Sequence, residues 1–430
     1  MLSEKKDPEY WLYLEPYVHI AEADGRFLFY NSLNGRRFET DPSEKLQGVI
    51  RDLLRPENGY VTRLAGKQLE DGSVSRFVAA LRRQFMGDLL DTSWSAGKPV
   101  NVLPEPYFKS YLTRELLSRQ EARDSIDFDN YIHEVDLYLN SSANQSEDPY
   151  HLAARQFVFP GNTLPQAGEI DWASLASFIR HISRYKITAV QVSGSDILAY
   201  SSFGNLRDLL GQAGLPVHYH LKAEFFEPSA VQTILNQKDT KVAIHFTFPL
   251  DLDNLNRILT GLSSLSGIKK LDFQFAVASG PELEMAREII SKANLPNAFL
   301  NPYYNGNNFD FFRDTVFITR DDIAGSKPNQ NQVFSRITVN ETDFGKFTVL
   351  PDSTIYANLN DPPVAKLGEI ATEEMILNEL LDGNSWSRTR KGVTPCKDCL
   401  YHFLCPPVSS YELLMKRFNF CHVYPVREET

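Results

Sequence analysis

Val135-Asp136-Leu137-Tyr138-Leu139 is a short apolar run, and it opens the part of the chain whose pattern decides the fold. From it onward, strand-like and helix-like segments alternate. Helical spacing of apolar residues marks 171–184, 204–213, 228–236, 252–265 and 281–293. Strands are expected between them, over 187–193, 216–222, 241–248, 269–277 and 297–303. A strand that is followed by a helix and then another strand makes βα units and a parallel sheet. With 135–139 the count is about six strands, so the expected fold is α/β with a partial rather than a full eight-stranded barrel. This barrel would occupy residues 131–344.

Upstream, residues 9–95 read as a separate small domain. Val18-His19-Ile20-Ala21-Glu22, Arg26-Phe27-Leu28-Phe29-Tyr30 and Arg37-Phe38-Glu39-Thr40 are three short strands, with Asp24-Gly25 and Asn34-Gly35 between them as hairpin signals. Asp41-Pro42-Ser43-Glu44 opens a helix carrying Leu46, Val49, Ile50, Leu53 and Leu54 at helical spacing. A second helix puts Val74, Phe77, Val78, Leu81 and Phe85 on one face, with Arg82 among its polar residues. Residues 96–130, with Pro99, Pro104 and Pro106 and a polar helical stretch over 111–123, read as a connector.

Composition narrows the function. The chain has 430 residues, 42% hydrophobic and 23% charged, with a formal net charge of −11. That length suggests more than one domain. No Lys/Arg-rich block is present, so a nucleic-acid partner is not expected. No apolar stretch is long enough for a membrane span, and the N-terminus is charged rather than signal-like, which makes a cytoplasmic protein the expectation.

All four cysteines stand at the far end, as Cys396, Cys399, Cys405 and Cys421, spaced C-x2-C-x5-C-x15-C. A C-x2-C pair lets two thiolates face one metal from a tight turn, and two later cysteines can close the coordination sphere. A disulfide framework belongs to small secreted chains. Spacing alone leaves zinc and an iron–sulfur cluster equally open.

The run Pro395-Cys396-Lys397-Asp398-Cys399-Leu400-Tyr401-His402-Phe403-Leu404-Cys405-Pro406-Pro407 resembles the C-terminal part of a SPASM domain, the auxiliary-cluster module of peptide-modifying radical SAM enzymes. Pro351-Asp352-Ser353-Thr354-Ile355-Tyr356 resembles that domain's P-D-G-x-V-Y entry, and Leu367-Gly368-Glu369-Ile370 its L-G-N-I turn. Ser409 and Asn358 stand where the family has further cysteines. The resemblance implies a truncated SPASM-like domain over 345–430 with one [4Fe–4S] cluster on Cys396, Cys399, Cys405 and Cys421, zinc remaining the alternative. Radical SAM enzymes carry C-x3-C-x2-C after the first barrel strand; here Ala143, Glu147 and Tyr150 fall at those positions. Their Gly-Gly-Glu after the second strand corresponds to Gly194-Ser195-Asp196. No S-adenosylmethionine binding is therefore expected. The combination, together with Ser385-Trp386-Ser387-Arg388, resembles the pseudo-radical-SAM proteins of the GG-Bacteroidales peptide systems.

Residues 9–95 resemble a RiPP recognition element, the winged-helix-like leader-peptide binder of ribosomally made peptide pathways. The resemblance implies that a leader adds as a strand along Arg36, Arg37, Phe38, Glu39 and Thr40, beside a helix face at Phe77, Leu81 and Arg82. The expected role is a non-catalytic accessory protein that binds a precursor peptide and an active radical SAM partner. The rival reading is an enzyme with a repurposed barrel or a redox-active cluster. For that reading, His218, His220 and His245 lie on two neighbouring strands, where hydrogen-bonded histidines are the simpler explanation.

Overall fold

The computed structural model describes residues 7–94, 97–99, 123, 126–141, 149–160 and 168–423. Most of the expected connector, including nearly all of 111–123, lies outside these residues.

The N-terminal segment holds two three-stranded sheets. Strands β2 (Val18–Ala23), β3 (Arg26–Asn31) and β4 (Arg37–Thr40) form the expected meander. Asp24 and Gly25 both take positive φ, 50° and 73°, which is how a two-residue hairpin loop matches the strand twist. The other sheet, β5 (Val61–Ala65), β1 (Glu9–Leu14) and β6 (Gly87–Asp91) in that spatial order, escapes sequence reading. Its strands are far apart in the chain and lack period-2 alternation. The helix Glu44–Leu54 begins at Ser43, whose side chain accepts from the Leu46 N–H, and Asp71 caps Gly72–Gln84 through the Ser73 N–H. Both helices bury their apolar faces with Leu12, Leu14, Phe27 and Phe29 in one core.

The rest of the chain is built on a nine-stranded sheet. Strands β7 (Glu134–Tyr138), β10 (Ala189–Ser193), β11 (Val217–Lys222), β12 (Thr240–Phe246), β13 (Leu271–Val277) and β14 (Ala298–Pro302) run parallel and in sequence order. The short pair β8 (Asn140–Ser141) and β9 (Gly168–Glu169) lies apart. The expected helices are present at Trp172–Ile182, Phe203–Ala213, Pro228–Leu235, Leu252–Leu262 and Gly280–Ala293. Asp251 caps the fourth of these, accepting from the Asp253 and Asn254 N–H groups.

The boundary expected at 344–345 does not separate two sheets. Strand β15 (Lys346–Val349) pairs parallel with β7, Lys346 opposite Glu134, and β16 (Thr354–Tyr356) and β17 (Ala365–Lys366) extend the same sheet antiparallel. Hydrogen bonding along a strand carries no trace in sequence periodicity, so the choice of neighbour was not legible. The sheet is open, ending at β14 and β17.

Alternation along each strand separates two faces. Val135, Leu137, Val190, Val192, Tyr219, Leu221, Val242, Ile244, Phe273 and Phe275 join the helices in one large core. Glu134, Asp136, Gln191, His218, His220, His245, Asp272 and Gln274 occupy the alternate positions, which makes the other face polar.

Candidate functional site

The cysteine segment folds as a chain of tight turns. Cys399 N–H donates to the Cys396 carbonyl at 3.0 Å, and Cys405 N–H to the Tyr401 carbonyl at 3.0 Å. Cys421 returns beside Ile318, the Phe420 carbonyl accepting the Ile318 N–H at 3.0 Å. The four cysteines are buried, none is disulfide-bonded, and all line one small cavity with Arg390, His402 and Phe420. Among the described residues no group of three or more His, Cys, Asp or Glu side chains is arranged to hold a metal ion. Burial pushes the Cys399 thiol up to about 11 and that of Cys405 to about 12; it raises Cys396 too, against the pull of Arg390.

Arg390 is the residue that sequence reading missed. Its guanidinium pairs with both oxygens of Glu412, at 2.8 and 3.0 Å, and donates to the carbonyls of Pro406, Pro407 and Phe418. It also reaches Cys396 Sγ at 3.5 Å. Glu412 is 1% exposed and completes a capping box with Ser409 on the helix Ser410–Met415. The position where the family has a cysteine, Ser409, is thus a helix cap. Asn358, the other such position, donates to Asp343 Oδ1 at 2.9 Å and to Ser410 Oγ at 3.2 Å. Ser353, in place of the family's glycine, keeps a left-handed φ of 68°. Trp386 packs on Phe344 and Phe347, and Arg388 grips Asp361 with both terminal nitrogens, so the Ser385–Arg388 run anchors this region.

Of the three positions that replace the radical SAM cysteines, Ala143 and Glu147 lie outside the described residues. Tyr150 lies in the helix Pro149–Gln156, with its side chain also outside them. The Gly194-Ser195-Asp196 loop is stapled to Asn140. A Cβ on Gly194 would meet Asn140 Oδ1 at 2.5 Å, and Asn140 Nδ2 donates to the Asp196 carbonyl at 2.6 Å. The Asp196 carboxylate accepts the Leu198 N–H, capping its own turn.

The expected peptide residues fall into three groups. Phe77, 3% exposed, and Leu81, 0%, belong to the domain core and offer no surface. This corrects the expected helix face: the helix turns its apolar stripe inward, where Phe77 packs on Phe29 and Phe38. Phe38 itself stacks on Phe29 with centroids 4.9 Å apart. Arg82 is ion-paired with Asp88. Arg36 donates to the Arg83 carbonyl at 3.0 Å. Strand β4 is an edge of its sheet. The Asn31 N–H donates to the Arg36 carbonyl, and with the observed register this directs Phe38 and Thr40 N–H groups toward β3 and those of Arg37 and Glu39 outward.

The outer face of this meander is not solvent-exposed. Ala21, Leu28 and Tyr30 pack in one apolar cluster with Cys399, Leu400, Tyr401, Phe403, Leu404 and Cys405. Glu39 joins the seam, accepting from Arg320 Nη2 at 2.7 Å and from the Tyr401 hydroxyl. Burial works against its charge, yet the Tyr401 and Arg320 hydrogen bonds hold the carboxyl below its usual range.

The histidines share the polar face of the sheet. His220 Nδ1 lies 2.8 Å from His245 Nε2, and His220 Nε2 lies 2.9 Å from Gln191 Oε1. Gln191 Nε2 donates to Glu134 at 3.0 Å. A carboxylate only accepts, so Gln191 Oε1 accepts from His220 Nε2–H, and His245 Nε2–H donates to His220 Nδ1. Burial pushes His245 down to about 3, and burial with the neighbouring histidines holds His220 well below its ordinary value. His220 and His245 are hydrogen-bonding groups held neutral by burial.

No family model matches the chain, and no curated protein matches it. Among solved structures it is similar to Streptococcus suis SuiB, at 11% identity over 96% of this chain and 100% of that one, with a TM-score of 0.43. It is also similar to SuiB bound to precursor peptide SuiA (11%, 95% and 98%, 0.42) and to SuiB bound to S-adenosylmethionine (11%, 95% and 97%, 0.40). The likeness runs nearly end to end.

Proposed function

We propose that the chain is a non-catalytic accessory protein in the maturation of a ribosomally made peptide, of the pseudo-radical-SAM type. It binds the precursor through residues 9–95 and carries one [4Fe–4S] cluster on Cys396, Cys399, Cys405 and Cys421. The observation that carries the reading is the single cavity lined by all four cysteines and by Arg390. Zinc closes its thiolates around one point with Zn–S of about 2.3 Å. A four-iron cube holds its thiolates farther apart, and the resemblance of the cysteine run to a SPASM domain favours the cube. The buried Arg390 cation beside Cys396 suits an anionic cluster, although Glu412 already pairs with it. A cluster there would be structural or an electron relay, and binding it would add folding free energy.

The Gly194–Asn140 staple and the capping role of Asp196 support a protein without S-adenosylmethionine chemistry. An active radical SAM enzyme is the partner this reading requires. The polar face of the sheet favours a second reading, in which the protein itself modifies the peptide. Anaerobic purification with iron, sulfide and zinc counted on one sample tests the cluster: four irons and four sulfides per chain are expected, and one zinc without sulfide overturns it. Incubation with S-adenosylmethionine, reductant and peptide separates the two roles. No 5′-deoxyadenosine above a reductant-only control and no mass change in the peptide are expected; either product supports the enzyme.

A further inference from the structure

On the polar face of the sheet, two carboxylates share one ammonium. Lys346 Nζ lies 2.9 Å from Asp136 Oδ2 and 3.5 Å from Glu134 Oε1. The other oxygen of Asp136, Oδ1, is buried and has no hydrogen-bond partner among the described residues, in a residue only 3% exposed. A third carboxylate stands close by. Asp343, also buried, accepts from uncharged amides, Asn340 Nδ2 at Oδ2 and Asn358 Nδ2 at Oδ1, each at 2.9 Å. Asp136, Asp343 and Lys346 line one cavity of about 700 Å³, counting its open mouth. Arg155 is the other basic residue on its wall, and no ion pair joins it to either aspartate among the described residues. Burial pushes Asp136 up to about 6 and Asp343 up to about 7 despite the neighbouring Lys346.

We infer that this cavity binds a primary alkylammonium group, held between the carboxylates of Asp136 and Asp343. An anion is disfavoured by the carboxylates. A guanidinium fork needs two oxygens of one carboxylate, and Asp136 has one free. A hard divalent ion is disfavoured by Lys346, whose ammonium already occupies Asp136 Oδ2 at 2.9 Å. Tyr138, Phe157 and Leu359 line the same cavity and would cover the alkyl chain. The inference needs neither the cluster nor the leader site. The ammonium could belong to a lysine side chain of a bound peptide or to a free diamine.

The test is titration of the whole protein with n-butylammonium, putrescine, and lysine and norleucine carrying acetyl and methylamide caps, followed by calorimetry and ligand-observed NMR. Saturable binding of n-butylammonium is expected, with the norleucine derivative about tenfold weaker than the lysine one or undetectable. Binding of the lysine derivative identifies a peptide side chain as the source, and binding of putrescine but not of the lysine derivative identifies a free amine. Asp136→Asn should weaken n-butylammonium about tenfold. Asp343→Asn is the second variant, with a smaller loss expected, and it decides the matter if Asp136→Asn fails to fold. The inference falls if no ammonium compound saturates, if norleucine binds as well as lysine, or if a folded Asp136→Asn protein binds n-butylammonium unchanged.

Discussion

Arg390 and Glu412 form a forked ion pair, 2.8 and 3.0 Å, inside the loop that presents the cysteines. Around it the guanidinium collects three carbonyls from two stretches that precede and follow the helix Ser410–Met415. The pair therefore sets where Cys396 and Cys405 stand relative to Cys421.

Removing one partner leaves a buried charge without compensation, at a cost of about 3–5 kcal/mol. Glu412→Gln and Arg390→Met should each lower stability in urea by about that amount and reduce bound iron. Arg390→Lys should rescue little, because an ammonium cannot fork across both Glu412 oxygens. The double variant Arg390→Met with Glu412→Leu should recover part of the loss. Equal iron content and unchanged urea midpoints in the single variants would remove the pair from the account of the site.

Cys399→Ala should lower metal content, and its structural effect should travel. Because Cys399 and Cys405 pack with Leu28 and Tyr30, hydrogen exchange should rise over 396–421 and in β2 and β3, while β11, β12 and β13 stay protected. Exchange mass spectrometry reads this directly. A rise confined to the cysteine loop would mean that the seam does not depend on the metal.

The outward N–H groups of Arg37 and Glu39 make Arg37 the informative position on β4. Proline there removes an edge donor and leaves the ladder to β3 intact. Arg37→Pro should abolish strand addition by a leader peptide in a folded protein. Phe38→Pro should unfold the meander, because its N–H faces β3 and its ring stacks on Phe29. Arg82→Ala should change binding little, since its charge is already paired with Asp88 at the surface. Amide shifts during peptide titration decide it: movement elsewhere, with 36–40 still, would place the peptide on another surface.

His245 is held neutral, with its value lowered to about 3, and His19 is lowered by burial to about 4. A histidine whose folded value lies below its unfolded one takes up protons on unfolding. Its contribution is thus present above about pH 6.5 and is lost as pH falls toward the folded value. Each group should add up to about 1.4 kcal/mol per pH unit to that acid slope. His245→Gln should flatten the slope between pH 6.5 and 4.5 in urea unfolding. An identical slope would show that His245 already titrates normally in the folded protein.

Local pattern carried much of this protein in its sequence. The βα alternation is a matter of side-chain period, so β10 to β14 and their five helices stand within a few residues of where spacing puts them. The hairpin at Asp24-Gly25 depends on two positive φ angles that those residue types tolerate. The cysteines could be read as one group because all four stand at metal-ligand spacing at the far end of the chain. Pairing and burial are different, since they depend on which distant segment arrives. Nothing near Lys346 announces that it will lie against Glu134 and Asp136, more than two hundred residues earlier. Glu39 reads as an exposed strand residue until Arg320 and Tyr401 reach it. Phe77 and Leu81 read as a helix face, and only the position of β3 shows that the face is the core. The sequence by itself determined the periods, the turns and the donor atoms; the tertiary structure alone decided which of those atoms meet, because a contact between remote segments is set by the packing of the whole chain.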